Sequence, residues 1–178
     1  GLTDMVVTRL SRRGKVERSV TFGGSEIEVC LALALGPDPR GGSSPLVYVL
    51  GATSSPDFPT RDPIQARCAG SGPCPGNLTI TVLDANLSEI LFSTYLGGSS
   101  GEVPVFFFDK GGDLAVDAGG RIAVVAATES KDYPKRRPTQ KKAKGDTNAV
   151  VSVLEPLPGG GYELSFSTFL GGKVKKSD

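Results

Sequence analysis

Ser93-Thr94-Tyr95-Leu96-Gly97-Gly98-Ser99 has two counterparts in the chain. One is Ser19-Val20-Thr21-Phe22-Gly23-Gly24-Ser25, and the other is Ser167-Thr168-Phe169-Leu170-Gly171-Gly172-Lys173. The Gly-Gly pairs stand 74 residues apart both times, at Gly23, Gly97 and Gly171. A self-match at one spacing marks a repeat architecture, in which each unit buries its apolar face only against a neighbour. The other matches drift around that spacing: Leu31 with Leu114, Thr53 with Thr128, Leu83 with Leu154. Insertions and deletions therefore fall in connections while the apolar runs are kept, as expected where the strand is the structural element.

Working outward, short apolar runs bounded by Gly, Pro, Asp and Ser read as strands. They cover Asp4 to Leu10, Val16 to Phe22, Cys30 to Leu35, Leu46 to Thr53, Leu78 to Val82 and Ile90 to Leu96. The series continues with Leu114 to Val116, Arg121 to Thr128, Ala149 to Leu154 and Glu163 to Leu170. Leu78-Thr79-Ile80-Thr81-Val82 alternates strictly, the pattern of a half-buried strand. No run of ten residues shows helical periodicity with a cap. The chain reads as all-β. Residues 1–25 supply the last two strands of one unit, 26–99 a second unit of four strands and 100–178 a third. A four-stranded antiparallel unit stacked on its neighbours describes a propeller blade, so the expected fold is a partial β-propeller of four-stranded antiparallel blades.

Three further motifs make the match more specific: the Ser93–Ser99 strand end, the run Leu114 to Gly120 ending in Asp and a glycine turn, and Gly51-Ala52-Thr53-Ser54-Ser55-Pro56-Asp57-Phe58-Pro59. The third unit carries Thr128-Glu129-Ser130-Lys131-Asp132-Tyr133-Pro134 at the last of these places. Together they resemble the bacterial SBBP-type β-propeller repeat over nearly the whole chain. Departures are Leu35-Gly36-Pro37-Asp38, in place of the tidy Asp-Ala-Gly-Gly turn, and an insertion at Val103–Phe108. The resemblance implies a propeller fold and a place at the cell exterior or envelope, and it brings no catalytic set. Two and a half blades fall short of the four or more usual in closed propellers. The expectation is a segment of a larger propeller, or a stack whose open faces pack on a partner or on copies of itself. The start, Gly1-Leu2-Thr3-Asp4, has no initiator Met and no signal-like apolar stretch, which fits a segment or a processed end.

Composition narrows the chemistry. The chain has 178 residues and a formal charge of +1, so no global field points to nucleic acid or a membrane surface. The absence of histidine removes the commonest general base and metal ligand. With only Cys30, Cys68 and Cys74 a zinc site is not expected, and no cofactor is implied. Cys68 and Cys74 bracket a small Gly/Pro loop suited to a local disulfide in an oxidising compartment, while Cys30, in an apolar run, reads as a buried thiol. The spacing of Asp109, Asp113 and Asp117 is too wide for a calcium loop. Asn77-Leu78-Thr79 and Asn86-Leu87-Ser88 are glycosylation sequons. No transmembrane run is present.

Two stretches are candidate interaction sites. Lys131 to Lys144 holds seven cations against the single Asp132, among them Lys135, Arg136, Arg137, Lys141 and Lys142. It reads either as a solvated loop or as a site for an anionic partner such as an acidic glycan. The lack of interleaved aromatics argues against nucleic acid. Phe106, Phe107 and Phe108 in the insertion read either as cover for a blade edge or as a docking patch for another protein. The Asp-aromatic-Pro triplets read as structural: the aromatic plugs between blades, the Pro fixes φ and the Asp caps a turn. Strand parity puts these triplets and the segments after the Gly-Gly pairs on one face. The expected function is a non-catalytic structural or protein-interaction module of an extracellular or envelope assembly, with a glycan-binding propeller as the alternative.

Overall fold

Each of the ten apolar runs is a strand in the computed structural model, which describes residues 1–70, 73–102 and 111–172. The strands are β1 (Met5–Leu10), β2 (Val16–Phe22), β3 (Glu28–Gly36), β4 (Leu46–Thr53), β5 (Asn77–Leu83), β6 (Ile90–Leu96), β7 (Asp113–Val116), β8 (Ile122–Thr128), β9 (Asn148–Pro156) and β10 (Tyr162–Leu170). No described residue is helical. The strands form three antiparallel sheets in simple chain order: the hairpin β1–β2, a first sheet β3–β4–β5–β6 and a second sheet β7–β8–β9–β10. None of the three closes on itself. The insertion with Phe106, Phe107 and Phe108 lies outside the described residues, as does Asp109.

The first sheet is apolar on both faces, and two cores follow from that. On one face Val47, Val49 and Leu83 pack with Met5, Val7 and Phe22 of the hairpin. On the other, Tyr48, Leu50, Leu78, Ile80 and Phe92 pack with Leu114, Ile122, Val124, Val150 and Leu154 of the second sheet. The first sheet is thus sandwiched, and every residue of β4 and β5 is buried. Strict alternation in β5 does not mark a half-buried strand here. Thr79 and Thr81 occupy a covered face: Met5 and the Thr79 hydroxyl both crowd Gly51, and Thr81 shares a hydroxyl bond with Ser93. Threonine suits that position because it is β-branched, and while the Thr81 hydroxyl finds Ser93, the Thr79 hydroxyl is buried with no partner among the described residues. Among the described residues the second sheet is covered on one face only, and β8 alternates buried and exposed as a one-sided strand should.

Candidate interaction face

The recurring Gly-Gly pair is a steric device at the joints between sheets. A Cβ on Gly97 would run into the Glu102 carboxylate and the Asn77 amide. One on Gly98 would strike Ser130 and Asp132 from the next sheet. Gly23 and Gly24 are crowded in the same way, by Asp4 and Glu28 and by Ser55 and Asp57. In these two pairs the first glycine clears an acid and the second lets the following sheet approach.

The acids are residues that the strand patterns do not single out. Glu28 and Glu102 each stand four residues after the second glycine of a pair. Glu28 accepts bonds from the Gly24 N–H (2.9 Å) and from the hydroxyls of Thr53 and Ser55 (2.5 Å each). Glu102 accepts from the Gly98 N–H (2.7 Å), the Asn77 Nδ2 amide (2.9 Å) and the Thr128 hydroxyl (3.3 Å). Glu102 is fully buried. Desolvation pushes its pKa up to about 7, against the pull of those donors. The signal that could have found these residues is the shared Gly-Gly-x-x-x-Glu spacing, masked by unlike intervening residues.

The Asp-aromatic-Pro triplets complete each joint, and their aspartates also bond across it. Asp57 accepts from its own backbone N–H and reaches across the joint as well. It accepts from the backbone N–H and the hydroxyl of Ser25 (2.8 Å each), and these bonds hold its carboxyl below the usual range. Asp132 accepts in the same way from the Ser99 N–H (2.9 Å). These bonds place the triplets and the segments after the Gly-Gly pairs on one face, as strand parity implied. The aromatics do plug the joints. Phe58 makes edge contacts with Phe22 and with Tyr95, whose hydroxyl accepts from the Phe58 N–H and donates to the Ser55 carbonyl. In the second sheet the hydroxyl has changed sides: Tyr133 replaces Phe58, Phe169 replaces Tyr95, and the Tyr133 hydroxyl meets the Ser152 hydroxyl. One phenol per aromatic pair suffices, because a second would need another buried partner.

The basic segment runs along the outer edge of the second sheet. Arg136 exchanges two backbone bonds with Ser167 of β10, and Gln140 N–H donates to the Thr168 hydroxyl. Residues 61–65 follow the same course beside β6, where Arg61 pairs with Ser93 and Gln65 with Thr94. Lys135, Arg136, Arg137, Lys141 and Lys142 are all exposed. Lys135 lies over the Phe169 ring at 5.3 Å and donates to the Tyr133 carbonyl. No ion pair among the described residues uses Arg136, Arg137, Lys141 or Lys142. The first sheet's counterpart is balanced instead, with Arg61 paired to Glu89.

The remaining sequence candidates separate. Cys68 and Cys74 form a disulfide. Cys30 is exposed rather than buried, because β3 is an edge strand, although close packing around the thiol still raises its pKa. Asn77 is fully buried, so its sequon is closed to modification, while Asn86 of the other is exposed. Among the described residues no group of three or more His, Cys, Asp or Glu is placed to hold a metal. An apolar groove between the hairpin and the first sheet is lined by Val7, Leu10, Leu33, Leu35 and Val47. No helix is long and apolar enough to cross a membrane. No protein-family model matches the chain, and no curated protein matches it either.

Proposed function

We propose that this chain is a non-catalytic segment of a β-propeller of the SBBP-repeat kind, serving as a structural or protein-interaction module. The observation that carries the reading is the repeated joint. The same Gly-Gly, Glu and Asp-aromatic-Pro groups fasten hairpin to first sheet and first sheet to second sheet. A unit fastened by such a joint is a blade that adds to a stack. The exposed Val125 on the outer face of the second sheet, and Leu33 and Leu35 in the groove beside the hairpin, are surfaces that a larger assembly would cover. An extracellular or envelope setting is favoured by the Cys68–Cys74 disulfide, since such bonds persist in oxidising compartments. The test is the intact mass of the polypeptide isolated from its native source. The reading expects either a mass well above 18.5 kDa or a stoichiometric partner. A lone, stable monomer at 18.5 kDa overturns it.

A second reading has its own support in the exposed cations of the basic segment, of which Arg136, Arg137, Lys141 and Lys142 join no ion pair among the described residues, and these suit an anionic glycan. Replacing Lys135, Arg136 and Arg137 with Ala is expected to weaken binding to a sulfated polysaccharide at least about tenfold, with the remaining affinity falling as salt rises. If the unaltered chain shows no binding at low ionic strength, this second reading is abandoned.

A further inference from the structure

The two seams between neighbouring sheets are built alike but closed differently at the end away from the Gly-Gly pairs. Val82 pairs with Phe92 in the first sheet where Arg9 pairs with Arg18 in the hairpin. In the hairpin seam the β5–β6 turn closes over this place. Arg9 Nη1 donates to the Ala85 carbonyl (2.9 Å), and Leu87 is 2% exposed, in one core with Val7 and Val47. The β9–β10 turn has the same frame in the seam between the two four-stranded sheets. The Gly160 N–H bonds to the Leu157 carbonyl as the Leu87 N–H bonds to the Asp84 carbonyl (3.0 Å each), and both residues have positive φ. Both closing groups are missing there. Val82 has no donor to offer a carbonyl, and a Cβ on Gly160 would meet nothing within 4 Å. The seam holds a hollow of about 200 Å³ instead.

Its lining sorts by polarity. The buried Leu46, Val82 and Phe92 lie on its inner side and the exposed Arg40, Arg61 and Asp62 at its mouth. Both guanidiniums are held in place. Arg40 gives Nε and Nη2 to the Asp38 carboxylate (2.9 Å each), and Arg61 gives Nη1 to Glu89 (2.5 Å) and to the Ile90 carbonyl (2.8 Å). Nη1 of the first and Nη2 of the second stay available to a ligand. Asp62 stands against the glycine turn, its Cβ 3.5 Å from where a Gly161 Cβ would be, and it joins no ion pair among the described residues. A simple anion here would face Asp62, and a simple cation would face two guanidiniums. A ligand carrying both signs meets each group with its opposite.

We propose that this hollow is a binding site for a small aliphatic zwitterion, a free α-amino acid of leucine size, with its carboxylate on Arg40 and Arg61, its ammonium on Asp62 and its side chain in the counterpart of the space that Leu87 fills in the hairpin seam. The hollow is smaller than the roughly 300–1,000 Å³ of sites for drug-sized ligands, which limits the occupant to about one amino acid. The site lies away from the Gly-Gly joints and the basic segment, so it stands whatever covers the open faces of the sheets.

The experiment titrates the full chain with L-leucine and follows the backbone amide resonances. Saturable shifts centred on residues 61, 62 and 159–161 are expected, with a Kd of about 1 mM or below. N-acetyl-L-leucine lacks the ammonium, L-leucinamide the carboxylate and glycine the side chain, and each should bind at least about fivefold more weakly. Asp62→Asn keeps a residue type that accepts the left-handed backbone at φ 49°. It should weaken leucine by a similar factor and leave N-acetyl-L-leucine unchanged, whereas a merely structural role for Asp62 would weaken both alike. The proposal is overturned by the absence of a saturable shift, by shifts confined to residues 135–142, by equal affinity for leucine and either blocked form, or by an equal loss of both ligands in Asp62→Asn. Should that variant not fold, the ligand series on the unaltered chain decides on its own.

Discussion

Glu102 shows how a single residue ties the joint to solution conditions. Unfolded, a glutamate loses its proton near pH 4.5, whereas in the folded chain burial delays the loss to about pH 7. The folded state therefore holds the extra proton between those values. Stability from this group is full below about pH 4.5 and is lost as pH rises through about 7, a change on the order of 3 kcal/mol. Thermal melts of the unaltered chain and of Glu102→Gln across that range should show a declining curve for the first and a flatter one for the second. Parallel curves would mean that the carboxylate is already ionised in its nest of donors. Glu102 was not legible in the strand pattern. Its value depends on Asn77, 25 residues earlier, and on Thr128, 26 residues later, and only folding brings the three together.

At the scale of elements, the strands follow directly from local chemistry. Val, Ile, Leu and Tyr runs broken by Asp, Asn and Gly turns leave few alternatives, and Asp117 shows why the turns hold. Its carboxylate accepts from the N–H groups of Gly119 and Arg121 and pairs with the Arg121 guanidinium, and all three hold its pKa low. The β4–β5 connection lacks such a turn and carries the disulfide instead. Closing a loop with six residues of separation should contribute about 2 kcal/mol by the chain-entropy argument. Replacing Cys68 and Cys74 with Ser should lower the unfolding free energy by about that amount in denaturant titrations. A reductant should do the same to the unaltered chain and nothing to the variant. The face of each strand was less legible than its existence. Val16 alternates with Val20 and Phe22, which pack on the first sheet, and is nonetheless more than half exposed at the start of β2.

Across the whole molecule, stability should be graded by how many neighbours a sheet has. The first sheet is covered twice, the second once, and the hairpin is a two-stranded ribbon with one apolar face. Native-state hydrogen exchange should therefore find the slowest amides in β4 and β5 and the fastest strand amides in β1 and β2, with β8 and β9 between. Uniform protection across all three sheets would show that they open as one cooperative body. The exposed apolar residues follow the same logic, Val125 and Leu170 on the outer face of the second sheet and Leu33 and Leu35 in the groove left beside the two-stranded hairpin. They are the faces that lack a neighbour.

The sequence by itself determined the number, order and rough limits of the strands and the spacing of the repeat, since apolar periodicity and turn residues act locally. It also marked the Gly-Gly pairs and the Asp-aromatic-Pro triplets as the recurring features. Only the tertiary structure decided what those features do. A glycine's need for space depends on Glu102, Ser130 and Asp132, which arrive from other elements, and a threonine in an alternating strand is buried or exposed according to the sheet laid over it.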